Sequence, residues 1–162
     1  RYLQTNVPHI YAAGDVVGPY LFTHTGYYQS YVAAHNAFSN KKIQPDYTVV
    51  PRCVFITPEV ASVGMTENDA IEKGIKIKKG ITAIALLGRA NTSNDMDGFV
   101  KVITDSKGTI IGASIVSAHA GEMIHELALA IKLRAKASDI ADMIHAYPTF
   151  SEAIKIACSL VE

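Results

Sequence analysis

Two apolar segments separated by a short polar turn place the strongest constraint on the fold of this chain. Residues 99–104 and 109–116 are rich in valine, isoleucine and threonine, and the four residues between them, Asp-Ser-Lys-Gly, end on Gly108. A loop this short joins antiparallel strands, because a parallel pair needs a crossover of a dozen residues or more. The sequence therefore predicts a β-hairpin and, around it, an antiparallel sheet.

The segments on either side of this hairpin predict an α+β fold. Thr66 and the acidic residues after it predict a capped short helix that stops at Gly74. Residues 88–91 are interpreted as a polar connector. Strands are predicted at residues 49–56, 59–63, 75–79 and 81–87, and helices at residues 121–135, 139–144 (capped by Ser138) and 152–161. Strands, helix, strands and then helices indicate a mainly antiparallel sheet with helices packed on it.

The amino-terminal residues show a different sequence pattern. Residues 9–13 predict a short apolar strand that ends in Gly14-Asp15, and residues 23–38 predict a helix from the spacing of Tyr27, Tyr31, Ala34 and Phe38. Residues 39–48 are polar and contain a proline, which predicts a linker. Taken alone, Gly-Asp is most often a turn, but a carboxylate after a strand is also suited to binding ligand hydroxyls.

Composition excludes several classes of function. Lys+Arg and Asp+Glu number 15 each, so the charge balance predicts neither a nucleic-acid nor a membrane partner. Cys53 and Cys158 fit neither a redox CxxC pair nor a zinc site, and we interpret both as small buried hydrophobic residues. A reducing, cytoplasmic setting is the expectation that follows.

The stretch His-Ala-Tyr-Pro-Thr-Phe-Ser-Glu at residues 145–152 carries the richest chemistry. Tyr147 stands before a rigid proline, and Glu152 follows at the start of a predicted helix that Thr149 or Ser151 could cap. An acid–base site is one interpretation. The other is a connection between two helices with a buried tyrosine.

A metal site is a further alternative. Glu122 and His125 have the Glu-x-x-His spacing of helix-borne metal ligands, but no second such motif is present. We therefore predict no metal ligands, and keep a small metal-binding domain only as a rival hypothesis.

Three stretches together resemble one family. Residues 5–15 resemble the second FAD-binding signature of the pyridine nucleotide–disulfide oxidoreductases, the family of glutathione reductase, dihydrolipoamide dehydrogenase and mercuric reductase. Residues 51–64 resemble the first strands of that family's dimerisation domain, and residues 145–152 resemble its carboxy-terminal active-site turn. The order and spacing agree over essentially the whole chain.

The resemblance implies a domain organisation and a set of functional residues. Residues 1–44 would be the end of an FAD-binding domain, and residues 45–162 the dimerisation domain of a homodimer. The cofactor-binding residues would be Gly14, Asp15, Thr23 and His24. Asp15 would bind the ribityl chain of FAD, and Thr23 and His24 would approach the flavin ring. The catalytic residues of the partner's active site would be Tyr147, Glu152 and His145. NAD(P)H would be the co-substrate, and a small molecule or metal ion the electron acceptor.

One residue departs from the family pattern. Disulfide reductases have histidine directly before the proline, where this chain has Tyr147, and an ordinary tyrosine with a pKa near 10 is a poor proton acceptor at neutral pH. The resemblance is therefore to a mercuric reductase-like branch, and the chain is interpreted as the last third of such an enzyme, inactive by itself. A non-catalytic dimerisation module is the alternative.

Overall fold

The computed structural model describes residues 1–162, which form two compact units, residues 1–47 and residues 48–162. The first unit has a small apolar cluster of Leu3, Val32 and Ala33. The second unit contains the large hydrophobic core. The predicted boundary between residues 44 and 45 rests on the family resemblance and remains a prediction.

The second unit is built on a five-stranded sheet with the order β1-β2-β5-β4-β3. All four strand pairings are antiparallel, and β4 and β5 form the predicted hairpin. The predicted α+β fold class is therefore confirmed. The strands are β1 (Arg52–Val54), β2 (Glu59–Gly64), β3 (Ile77–Ala83), β4 (Phe99–Asp105) and β5 (Ile110–Ser117).

Six α-helices accompany the sheet, one of them in the first unit. They are α1 (Thr23–Phe38), α2 (Glu67–Glu72), α3 (Gly88–Ser93), α4 (Ala120–Leu133), α5 (Ala137–Ala141) and α6 (Glu152–Ser159), with a 3-10 turn at Ile84–Leu86. None of them combines the length and the apolar character that crossing a lipid bilayer requires.

The core lies between the sheet and two of these helices, α4 on β2 and β5, and α6 on β3 and β4. Fully buried side chains come from both layers, and burying each one contributes about 1.5–3 kcal/mol. Among them are Val63, Val100, Ile115, Ile124, Leu127 and Ile154. More and less buried residues alternate along most of β3 and β5, which follows from the period of two in a strand.

Some sequence predictions are corrected by the structure. Residues 9–13 form no strand, since only Tyr11 makes a single bridge to Gln4. Residues 88–91 belong to α3 and are not a connector, because burial of Ala90 and the bond from Asn91 Nδ2 to the Leu87 carbonyl oxygen (2.8 Å) stabilise a short helix.

The boundaries of several helices and strands also differ from the predictions. Helix α5 begins at Ala137, and Asp139 accepts a hydrogen bond from the Lys136 N–H (2.8 Å), so the side chain of Ser138 does not cap it. The predicted strands at residues 75–79 and 81–87 are one strand, β3, followed by the 3-10 turn. The predicted cap at Thr66 is present, with Thr66 Oγ1 accepting from the Asp69 N–H (3.1 Å).

Glu67 joins α2 to two strands and predicts an acid-dependent loss of stability. Its carboxylate lies 2.7 Å from Lys101 Nζ and 2.9 Å from Lys79 Nζ, and these hydrogen bonds lower its pKa from 4.5 to about 2. Because the folded pKa is depressed, the stabilisation is complete above about pH 4.5 and is lost as the pH falls toward 2.

We therefore expect Glu67→Gln to lower the free energy of unfolding by about 1 kcal/mol at pH 7 and to have no effect near pH 2. Urea unfolding of wild type and variant between pH 2 and pH 7 measures the difference. Glu72→Gln, on the same helix and exposed, is the matched control. A constant difference at every pH would contradict the prediction.

Candidate functional site

The first candidate site is the glycine turn at Gly14-Asp15. Gly14 has φ +83°, a left-handed conformation that suits glycine, and the Val17 N–H closes the turn by donating to the Gly14 carbonyl oxygen (2.9 Å). The direction in which a Cβ of Gly14 would project is open. Asp15 is exposed on this turn.

A buried glutamine on α1 holds this turn. Gln29 Oε1 accepts a hydrogen bond from the Gly14 N–H (2.6 Å), and Nε2 donates to the Gly18 carbonyl oxygen and to the Tyr47 hydroxyl, each at 2.8 Å. The side chain is completely buried, so leaving these backbone groups unpaired would cost about 1–3 kcal/mol each. Sequence analysis missed Gln29, whose only signal was a polar residue amid apolar helical neighbours.

The face of α1 that packs is not the face with the aromatic stripe. Tyr27, Tyr31, Ala34 and Phe38 are all exposed, although their spacing did predict the helix correctly. The buried positions include the polar residues Gln29 and Asn36, together with Thr25, Val32 and Ala33. Hydrogen bonds between polar side chains of α1 and loop backbone determine which face is buried. The spacing of apolar residues gives no indication of these bonds.

The start of α1 lies against the glycine turn. A Cβ placed on Gly26 would be 3.2 Å from Gly14 Cα, so the start of α1 approaches the glycine turn closely. Thr23 is the first residue of α1, and the His24 ring stacks on the Phe22 ring with centroids 5.2 Å apart. The four predicted cofactor-binding residues therefore come from a turn and a helix start that pack on each other.

The second candidate site is the turn before α6. The Thr149 N–H donates to Glu152 Oε2 (3.1 Å), and Thr149 Oγ1 donates to the Ala146 carbonyl oxygen (2.7 Å). Phe150 enters the core against the His119 ring, 4.8 Å between centroids. Neither Thr149 nor Ser151 caps α6 with its hydroxyl, so that prediction is wrong. The hydrogen bond at the start of α6 is instead donated by the backbone N–H of Thr149 and accepted by the Glu152 carboxylate.

Tyr147 projects from this turn with its side chain mostly in solvent, 77% exposed. The phenol oxygen lies over the first residue of α3, where a Cβ on Gly88 would be 3.0 Å away. The interpretation with a buried tyrosine is therefore wrong. No hydrogen bond joins Tyr147 to Glu152, whose Oε2 accepts from the Thr149 N–H.

His145 points away from solvent. Its Nε2 lies 2.9 Å from Glu126 Oε1 on α4, and its Nδ1 lies 3.2 Å from the Met143 carbonyl oxygen. Its side chain is 5% exposed. Both ring nitrogens are occupied by groups of this chain, which distinguishes His145 from the exposed Tyr147.

A groove of about 440 Å³ opens beside the turn. Its lining combines charged groups with the turn itself, and includes Arg89, His119, Glu122, Pro148, Thr149 and Phe150. Glu122 and His125 lie exposed on α4, and no cluster of three or more potential metal ligands is present.

The two cysteines are free thiols on the core of the second unit. Cys158 is buried, and burial, with a smaller contribution from Glu126, raises its pKa to about 12. Cys53 is half-buried and its pKa is also raised, first by burial and then by Glu59 and Glu122. Their raised pKa values keep both thiols protonated at neutral pH, as expected for residues that serve packing.

Comparison with known proteins decides the family. Residues 50–158 match the family described as pyridine nucleotide-disulphide oxidoreductase, dimerisation domain. The chain belongs to this family. The family resemblance inferred from three motifs is thus confirmed.

Individual relatives of this dimerisation domain are similar along most of the chain. Dihydrolipoyl dehydrogenase of Vibrio parahaemolyticus is 40% identical over 163 residues, covering 100% of this chain and 34% of the relative. Dihydrolipoyl dehydrogenase of Bacillus subtilis is 46% identical over 151 residues, covering 92% and 32%.

A solved structure agrees in fold. The HOCl-induced flavoprotein disulfide reductase RclA from Escherichia coli has a TM-score of 0.93 and 32% identity, covering 99% of this chain and 37–38% of its own chain in the matched structures. This chain therefore spans about a third of the length of its relatives.

Proposed function

We propose that this chain is the carboxy-terminal part of an FAD-dependent NAD(P)H oxidoreductase. Residues 45–162 form its homodimer interface, and residues 1–44 end its FAD-binding domain. Support comes from the family match and from relatives named dihydrolipoyl dehydrogenase and flavoprotein disulfide reductase. The free cysteines are consistent with a cytoplasmic setting.

An apolar surface in the second unit supports the homodimer. Leu129 and Leu133 lie exposed on the outer face of α4, one helical turn apart. The exposed Met143 and Ile144 precede His145, whose ring contacts Glu126, one helical turn before Leu129, and we group them with these two leucines. Apolar side chains grouped in this way are typical of the buried centre of a protein–protein interface.

The observation that carries the proposal is the exposed phenol of Tyr147 on a turn whose neighbours are anchored. Thr149, Glu152 and Phe150 fix the chain after it, while the phenol itself is available to a partner subunit. In the proposed homodimer, Tyr147 and Glu152 complete the active site of the other subunit. His145 belongs to the same turn.

The glycine turn of the first unit fits the ribityl chain of FAD. Open space at Gly14 allows a ligand to approach the backbone, and the exposed Asp15 carboxylate can accept hydrogen bonds from ligand hydroxyls. Thr23 and His24 begin a 16-residue helix, whose amino terminus favours electron-rich groups. When bound, FAD supplies the electron-transfer chemistry, and these residues of the chain bind and orient it.

The identity of Tyr147 favours the mercuric reductase-like branch. A phenol is a poor base at neutral pH, so the acid–base step of disulfide reduction is disfavoured, and a metal ion or another small molecule fits better as the electron acceptor. We accordingly propose a small-molecule or metal-ion electron acceptor, with NAD(P)H as the reductant.

Substitution of Tyr147 in the complete flavoenzyme tests this proposal. We expect Tyr147→Phe to lower kcat about tenfold, the loss of one hydrogen bond in the transition state, with KM for NAD(P)H unchanged. Steady-state oxidation of NADH and NADPH with disulfide and metal-ion acceptors measures it. Tyr147→His is the matched variant and should raise disulfide reduction. Equal turnover of wild type and Tyr147→Phe would show that Tyr147 contributes only to packing.

The alternative function is a non-catalytic dimerisation module, and tyrosine in place of the family histidine favours it. Such a module would dimerise as above. It would show no NAD(P)H oxidation in any Tyr147 variant, including Tyr147→His.

A further inference from the structure

The loop between α5 and α6 has few anchors before Tyr147. Ile140 and Phe150 are in the core, and no residue in the segment 141–149 between them is buried as a whole. Ile144 is 92% exposed and Met143 is half-exposed. The side chain of His145, by contrast, is only 5% exposed.

The contacts of His145 tie the loop to two helices. Nε2 faces the Glu126 carboxylate of α4 at 2.9 Å, and Nδ1 faces the Met143 carbonyl oxygen at 3.2 Å. Each ring nitrogen thus has an oxygen of this chain as its partner. Lys155 Nζ of α6 donates to the same carbonyl oxygen of Met143 (2.9 Å).

The charges that face this contact are complementary. Glu126 is the carboxylate beside His145, and its negative charge also reaches Cys158 of α6, where it contributes to raising the thiol pKa. Lys155 brings a positive charge to the Met143 side of the loop. The Glu126 side chain is 24% exposed, so solvent screens its contacts less than those of a fully exposed carboxylate.

We infer that His145 is a positioning residue whose contact with Glu126 fixes the backbone two residues before Tyr147 and so holds the phenol over Gly88. His145 thereby acts through Tyr147 and does not itself touch the reacting groups. What Tyr147 does once it is held rests on the proposed function, but its placement by His145 does not.

Fluorine NMR of the 162-residue chain labelled with 3-fluorotyrosine tests this inference without any assay of activity. Tyr147 is the only tyrosine among residues 48–162, and the Tyr147→Phe variant assigns its resonance. We expect His145→Ala and Glu126→Gln each to move this resonance toward its position in the denatured chain. The double variant should move it no further, because both changes break one contact.

Two exposed residues of α4 provide matched controls, His125→Ala and Glu122→Gln. Neither should move the Tyr147 resonance, and none of the four variants should move the tyrosine resonances of residues 1–47. Urea unfolding checks that each variant remains cooperatively folded. Should His145→Ala fail to fold, Glu126→Leu, whose side chain is of similar size but has no acceptor oxygen, decides the question.

An unmoved Tyr147 resonance in folded His145→Ala and Glu126→Gln would overturn the inference and leave the contact of His145 with Glu126 a contributor to stability alone. A moved resonance, combined with full turnover of Tyr147→Phe in the complete enzyme, would support the positioning by His145 while removing the proposed role of Tyr147.

Discussion

Replacing Gly80 with alanine is expected to lower the free energy of unfolding of this chain by at least about 3 kcal/mol. Gly80 lies on β3 directly beneath the end of α6, where an added Cβ would be 1.9 Å from the Ala157 carbonyl oxygen. The carbonyl carbon of Leu160 and the nitrogen of Val161 would each be 3.0 Å away. All three atoms belong to backbone, so no side-chain rotation relieves the overlap.

The consequence is that α6 must move from the sheet. The chain after α6 pairs with β3, since the Glu162 N–H donates to the Lys79 carbonyl oxygen (3.3 Å) and the Lys79 N–H donates to the Glu162 carbonyl oxygen (3.2 Å). Displacing α6 would strain this pairing and loosen Ile154 from the core. Urea unfolding followed by far-UV circular dichroism measures the loss, which corresponds to a lowering of Tm by about 6–12 °C.

Gly88→Ala is the matched control for this substitution. The first atom that its added methyl would meet is the hydroxyl of Tyr147 at 3.0 Å, the far end of an exposed side chain that can move aside. We expect a change of less than about 1 kcal/mol in either direction. Equal unfolding midpoints for wild type, Gly80→Ala and Gly88→Ala would contradict the close packing of α6 on β3.

Replacing Leu133 with glutamate is expected to weaken self-association of the chain more than 100-fold, about 3 kcal/mol. In the proposed homodimer the outer face of α4 is buried, and a two-fold interface contains every substituted residue twice. A carboxylate enclosed there without a partner loses its hydration. Sedimentation equilibrium over a range of concentrations measures the dissociation constant, and Leu129→Glu should act in the same direction.

Ile71→Glu is the control for the substitution at Leu133. Ile71 on α2 is 68% exposed and Leu133 is 70% exposed, so both substitutions change equally accessible apolar residues. Ile71 lies outside the surface of Leu129, Leu133, Met143 and Ile144, and its substitution should leave the dissociation constant unchanged. A monomeric wild-type chain, or an unchanged Leu133→Glu dimer, would argue against the proposed interface.

Local signals in the sequence predicted the elements that depend on neighbours along the chain. The hairpin is one of them, because Asp105 Oδ1 accepts hydrogen bonds from the N–H groups of Lys107 (2.8 Å) and Thr109 (2.9 Å) within the turn itself. The cap at Thr66 is another, since both partners lie within four residues. The bounds of α1 were predicted without error because its helical spacing is also local.

The candidate site depended on contacts that the sequence pattern does not record. Glu126 and His145 are 19 residues apart, and Gln29 and Gly14 are 15 apart, so no local spacing indicates that either pair meets. The motif identified the turn that contains Tyr147. Only the packed structure placed the phenol in solvent and the imidazole of His145 against α4.

By itself, then, the sequence determined the antiparallel sheet, most of the helices and the family, because periodicity, turn chemistry and ordered motifs are properties of contiguous residues. The tertiary structure decided which face of α1 is buried, why residue 80 must be glycine and what holds the turn before Tyr147. These features depend on atoms brought together from distant parts of the chain, where steric overlap and hydrogen-bond partners are set by packing.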